Sequence, residues 1–157
     1  RYLKIHIKNQ ISAGADVVQI FDSWAGLIPE ENFKKFCIMP TSNLIDFCKE
    51  EKIQNVCFPK GIKEKYEEFN NLVKPDGINI DSEIDPDWAK DKLKDVVIQG
   101  GLDPRTLLKT DDEIFKGATK YIKAFKDMPY VFNLGHGLLP ETDPAKVEKL
   151  INFYRSS

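Results

Sequence analysis

The chain has 157 residues, with 23 basic against 25 acidic side chains for a formal net charge of -2, and 41% of its residues are hydrophobic. That is enough for one sizeable globular domain, and the balanced charge gives no reason to expect nucleic acid or an acidic membrane surface as a partner. No apolar run approaches the roughly 18 residues of a membrane span, and the opening Arg1-Tyr2-Leu3-Lys4-Ile5-His6 lacks the apolar centre of a secretory signal, so the chain reads as cytoplasmic. Cys37, Cys48 and Cys57 are odd in number, show no Cys-x-x-Cys spacing and stand among apolar residues, which predicts reduced core thiols.

Leu3, Ile7 and Ile11 recur at the helical period, and the first residue is Arg1 rather than methionine, so the chain is expected to be cut from something longer. Val17 to Phe21 is a β-branched and aromatic run that predicts a first strand, ended by Asp22-Ser23-Trp24-Ala25-Gly26. Pro29-Glu30-Glu31 opens a helix carrying Phe33, Phe36 and Cys37. Pro40 should interrupt it, with a new helix from Thr41 or Ser42. Val56 to Phe58 predicts a second strand closed by Pro59-Lys60-Gly61, after which Ile62, Tyr66, Phe69 and Leu72 mark a helix face. Ile78 to Ile80 makes a third strand, and Asp85-Pro86 caps a helix whose Ala89 and Leu93 point inward. Val96 to Ile98 is the fourth strand, and Thr110 with Glu113 forms a capping box for a helix faced by Ile114, Ala118, Tyr121, Ile122 and Phe125. Tyr130 to Leu134 reads as a fifth strand, buried on both faces. Asp143-Pro144 then starts a last helix in which Val147, Leu150, Ile151 and Tyr154 recur at the helical period.

Strand and helix therefore alternate five times with short apolar strands, the pattern of a parallel α/β sheet covered by helices. The polar and glycine-rich clusters, at residues 22–26, 59–61, 81–83, 100–103 and 135–137, each follow a strand. They are expected to gather where βα-loops build active sites. Five strands cannot close an eight-stranded barrel, which leaves either an open doubly wound sheet or the last five units of a (β/α)8 TIM barrel.

Gly100-Gly101 and Gly135-His136-Gly137 lack the spacing of a phosphate loop, so these glycines read as sharp turns off strands. His136, presented between glycines, is a candidate for ligand binding or proton transfer. His6 reads as a surface residue, and two distant histidines give no zinc pattern. Ser23 lacks a nucleophile elbow and fits better as a hydroxyl that hydrogen-bonds a polar ligand. Asp22, Asp81, Glu83 and Asp103 are strand-end carboxylates open to acid–base work, with loop capping the plainer role for Asp81 and Asp103.

Four pieces in order, Gly14-Ala15-Asp16-Val17-Val18-Gln19-Ile20-Phe21-Asp22-Ser23-Trp24-Ala25-Gly26, Phe58-Pro59-Lys60-Gly61, Gln99-Gly100-Gly101-Leu102-Asp103-Pro104 and Asn133-Leu134-Gly135-His136-Gly137 with Pro140, Thr142 and Pro144, resemble the uroporphyrinogen decarboxylase family. The resemblance implies a (β/α)8 barrel to which this chain supplies strands four to eight. Residues 1–157 would then be the carboxyl-terminal part of a single barrel domain. It implies that Ser23 contacts a substrate carboxylate, that His136 contacts the polar edge of a tetrapyrrole and assists proton transfer, and that Phe21 walls the cleft. The implied reaction removes carbon dioxide from the four acetates of uroporphyrinogen III to give coproporphyrinogen III in haem biosynthesis. It needs no metal or organic cofactor, and the protein is implied to be a homodimer. The family's arginine-rich segment, tyrosine and pyrrole-binding aspartate would lie upstream of Arg1, and Ile80-Asp81-Ser82 departs from the usual Leu-Asp-Trp. Two other readings compete. Cobalamin-dependent methyltransferases of the same barrel need a His-x-Cys zinc pair where this chain has Phe58-Pro59-Lys60, and a barrel fragment could be non-catalytic, with an open sheet edge prone to aggregate.

Overall fold

The strands and helices that the periodicity predicts form in the predicted order, except that the helices expected on either side of Pro40 run on as one. The structure is a computed structural model and describes residues 1–156. It divides into two compact units, Arg1–Asn79 and the residues from Ile80 onward.

The first unit runs α1 (Tyr2–Ser12), β1 (Val17–Asp22), a 3₁₀ turn (Ala25–Leu27), α2 (Glu30–Phe33), a π turn (Lys34–Ile38), α3 (Met39–Glu50), β2 (Gln54–Pro59), α4 (Lys65–Val73) and β3 (Gly77–Ile80). β1 pairs in parallel with β2 from Val17↔Gln54 to Asp22↔Pro59, and β2 pairs with β3 through Val56↔Gly77 and Cys57↔Ile78. Tyr66, Phe69, Ile45, Cys48 and Cys57 are fully buried here, and all three cysteines are free thiols, as expected. Asn55, also fully buried, spends its polar groups on one partner. Its main-chain and side-chain N–H groups donate to Asp76 Oδ2 at 3.0 and 2.6 Å, and its Oδ1 accepts from the Asp76 N–H at 3.2 Å, fastening the start of β2 to the turn before β3.

The second unit runs α5 (Pro86–Lys92), β4 (Val97–Gly100), a 3₁₀ turn (Pro104–Leu108), α6 (Asp111–Phe125), β5 (Tyr130–Val131) and α7 (Pro144–Arg155). β4 and β5 are parallel, Ile98↔Tyr130 and Gln99↔Val131, with a further bridge Leu102↔Leu134. The caps form as the sequence predicts. Asp85 accepts from the Asp87 and Trp88 N–H groups, Asp143 accepts from Ala145, and Thr110 and Glu113 close a reciprocal box.

Within each unit strand order follows chain order with no reversal. That is how successive β/α units of a barrel are laid down, whereas a doubly wound sheet reverses at a switch point. The fold is α/β with parallel strands and fits part of a (β/α)8 barrel. Among the described residues no helix is long and apolar enough to cross a membrane.

Three expectations need correcting. Pro40 does not interrupt its helix: the chain stays helical from Glu30 to Glu50, because the widened turn at Lys34–Ile38 absorbs the bond that a proline N cannot donate. Leu72 points outward at 48% exposed and Val73 is buried instead, because the helix begins only at Lys65, which sets its inward phase at Tyr66, Phe69 and Val73. β5 is not buried on both faces. It has two residues, Tyr130 half-buried and Val131 46% exposed, so side chains that alternate across the strand leave one face open.

Candidate functional site

In the first unit the loops after β1 and β2 are bound to each other through their backbones. The Lys60 N–H donates to the Asp22 carbonyl at 3.0 Å, and the Gly26 N–H donates to the Lys60 carbonyl at 2.9 Å. Gly26 lies so close to the second loop that an added Cβ would stand 2.4 Å from the Gly61 carbonyl oxygen, which is why only glycine fits. Between these ties sits Ser23, exposed. Phe21, at 65% exposed, meets Phe58 edge to face with ring centroids 6.0 Å apart. Beside them the Ala25-Gly26 and Gly61-Ile62-Lys63 segments line a cleft of about 260 Å³ that also takes in Glu30, Phe33 and Lys65. Asp22, the strand-end carboxylate, accepts the Trp24 N–H at 3.3 Å through Oδ1. It also faces Cys37, whose thiol is pushed up to about 12 by burial first and by Asp22 second.

The second unit assembles the other three loops. Gly100 and Gly101 both take left-handed backbone angles, φ 87° and 104°, and turn the chain off β4. Two phenols fix the turn: Tyr130 Oη donates to the Gly100 carbonyl at 2.8 Å and Tyr121 Oη to the Gly101 carbonyl at 2.6 Å. Asp103 next accepts the Arg105 N–H at 2.9 Å and grips the Arg105 guanidinium, whose hydrogen bonds hold its carboxyl below the usual range. Asp81, 4% exposed, accepts the Glu83 N–H at 3.0 Å. Both aspartates therefore take the capping role that the sequence left open. Gly135 ties the last loop to both others. Its N–H donates to the Leu102 carbonyl at 2.7 Å, and a Cβ there would stand 2.6 Å from the Ser82 nitrogen. His136, exposed, lines a mostly apolar cleft of about 360 Å³ with Leu107, Phe132, Leu134, Leu138, Leu150 and others.

So the structure places Ser23 and Phe21 together in the first unit and His136 in the second, each on a strand end or the loop that follows. His6 is exposed on α1, as expected. Among the described residues no group of three or more His, Cys, Asp or Glu side chains could hold a metal ion. Sequence reasoning missed the Gly26–Gly61 approach, the Cys37–Asp22 neighbourhood and the two tyrosine clamps. Their only local signal is the glycines themselves, since the partners come from distant elements.

The Tyr121 clamp has a pH signature. Burial first, then the charges of Asp103, Asp85 and Asp81, push its phenol up to about 12. A phenol raised in the folded state contributes stability fully present below its unfolded value near 10, and lost as pH rises toward 12. Urea midpoints should therefore fall across pH 10 to 12, and Tyr121→Phe should flatten part of that fall while lowering the neutral-pH unfolding free energy by about 1 kcal/mol for the lost hydrogen bond. An unchanged alkaline slope in the variant would contradict the clamp.

The family model described as uroporphyrinogen decarboxylase (URO-D) matches residues 1–157. The uroporphyrinogen decarboxylase of Orientia tsutsugamushi (strain Boryong) is 40% identical over 158 residues, covering 97% of this chain and 46% of that protein. That of Rickettsia bellii (strain RML369-C) is 43% identical over 152 residues, covering 96% and 45%. The chain thus spans about half the length of the curated relatives it matches. Among solved structures, a methyltransferase from Methanosarcina mazei superposes with a TM-score of 0.77 over 97% of this chain and 45% of its own at 18% identity, a likeness of fold alone. Matched from end to end by one family model and by relatives at about this level of identity, the chain belongs to the uroporphyrinogen decarboxylase family.

Proposed function

We propose that the protein to which this chain belongs removes the acetate carboxyls of uroporphyrinogen III as carbon dioxide, leaving methyl groups and giving coproporphyrinogen III. The family match over residues 1–157 carries this reading. The exposed placement of Ser23 and His136 on loops that follow strands supports it. Protonating a pyrrole makes it an electron sink. The bond between the acetate methylene and its carboxyl then breaks, its electron pair passes into the ring system, and a proton added to the methylene makes it a methyl as the ring gives up the first proton, a net uptake of one proton for each carbon dioxide released. Ser23 would hold a substrate carboxylate through its hydroxyl, Phe21 would wall the cleft, and His136 would contact the polar edge of the macrocycle and help move a proton. A homodimer, a cytoplasmic location and a place in haem biosynthesis belong to the same reading.

The strand end argues against zinc-dependent methyl transfer as the alternative. That chemistry needs a His-x-Cys pair where this chain has Phe58-Pro59-Lys60.

The test is incubation of the full-length protein with uroporphyrinogen under reducing conditions, followed by separation of the products by carboxyl number. Porphyrinogens with one to four methyls in place of acetates are expected, and unchanged substrate would overturn the reading. The 157-residue chain alone should be inactive. It has three arginines, Arg1, Arg105 and Arg155, and Arg105 is already paired to Asp103, which leaves little to grip a polycarboxylate.

A further inference from the structure

Ser23 sits in a turn with little side-chain packing around it beyond the edge-to-face contact of Phe21 with Phe58 and the buried Ala25. The residues before and after the Asp22-Ser23 pair, Phe21 and Trp24, are 65% and 73% exposed. What fixes the turn is hydrogen bonding, and it converges on one residue. Through Oδ1, Asp22 accepts the Trp24 N–H at 3.3 Å, closing an Asx turn across Ser23. Through its carbonyl, Asp22 accepts the Lys60 N–H at 3.0 Å, and the Lys60 carbonyl in turn accepts the Gly26 N–H at 2.9 Å. The serine is therefore bracketed on both sides by bonds that begin or end at Asp22 or at the loop it is tied to.

We propose that Asp22 is a positioning residue for Ser23: its side-chain and main-chain oxygens set the turn that presents the serine hydroxyl to a substrate carboxylate. This rests on the reading of Ser23 given under the proposed function. A strand-end carboxylate beside a substrate-binding serine invites an acid–base role, but the geometry gives it a different one. The carboxylate oxygen Oδ1 is used on the backbone of its own turn. Its other neighbour is the fully buried Cys37 thiol, delivered by the π turn Lys34–Ile38, and that thiol is held protonated. An acceptor is what this position requires, and a full negative charge is not.

Steady-state kinetics on uroporphyrinogen with the full-length protein separates the possibilities. Ser23→Ala should raise KM about tenfold with kcat within about twofold, the size of one lost hydrogen bond to a charged group. Asp22→Ala should do the same. Asp22→Asn, which keeps an oxygen where Oδ1 stands, should stay within about twofold of the parent, and Asp22→Gln, which moves the acceptor one methylene outward, should behave like alanine even if Asp22→Ala does not fold. The double variant Asp22→Ala/Ser23→Ala should be no worse in KM than Ser23→Ala alone, because a residue acting through another adds nothing once that other is gone. Multiplying effects in the double variant, an asparagine as damaging as alanine, or a parental KM in Asp22→Gln would each overturn the positioning role. A parental KM in Ser23→Ala would remove the reading of Ser23 itself, and the positioning role with it.

Discussion

Gly26→Ala is expected to lower the thermal midpoint of the protein by about 10 °C. The new Cβ would stand 2.4 Å from the Gly61 carbonyl oxygen, 2.6 Å from its carbon and 2.9 Å from its Cα. All three atoms are backbone, so no rotamer change can relieve the contact. The β1 and β2 loops must move apart, weakening the bond from the Gly26 N–H to the Lys60 carbonyl. Overpacking of this kind costs about 3 kcal/mol, and about 3 °C of midpoint goes with each kcal/mol in a protein of this size. Two comparators isolate the cause. Gly14 has φ 98° but open space around its Cβ position, so Gly14→Ala carries strain without collision and should cost about 1 kcal/mol. Gly137 has open space and should tolerate alanine. Equal midpoints for Gly26→Ala and Gly137→Ala by differential scanning fluorimetry would show that the loops do not meet as described.

His136→Ala in the full-length protein is expected to lower kcat/KM for uroporphyrinogen about a hundredfold, the lower end of what a positioned proton-transfer group contributes, while leaving the thermal midpoint nearly unchanged. Both halves of that expectation follow from the loop. The imidazole is exposed where it lines the 360 Å³ cleft, so its loss removes little packing. The loop is held instead by Gly135, through its N–H to the Leu102 carbonyl and its close approach to the Ser82 nitrogen. Activity near the parental level would take His136 out of the site, and a large fall in midpoint would make it structural.

The parts of this structure that were legible in the sequence are those decided by neighbours in the chain. Asp85-Pro86, Thr110 with Glu113 and Asp143-Pro144 cap their helices within three residues, and each does so here as read. The strands were legible because Val, Ile and Phe runs between glycine and proline clusters have few alternatives. Pro40 was misread because a π turn depends on how a whole helix packs, which local rules do not encode. The phase of α4 differs at Leu72 because Ile62, though at helical spacing, lies outside the helix: Lys63 adopts φ 54° and the helix starts after it.

The candidate site divides the same way. That Ser23 and His136 follow strands could be read directly. That Asp103 would be occupied by Arg105, two residues on, was within reach of the capping argument. What holds the loops could not be read, because Gly26 against Gly61, Tyr121 to Gly101, and Asn55 to Asp76 join residues far apart in the chain.

The reaction itself is tested most directly by the fate of the carboxyl carbon. Full-length protein should be given uroporphyrinogen III labelled with ¹³C at the acetate carboxyls, and in a parallel sample at the propionate carboxyls. Acetate label should appear as carbon dioxide and propionate label should stay in the macrocycle. Acetate label retained in the porphyrinogen, or propionate label released in its place, would contradict the assignment.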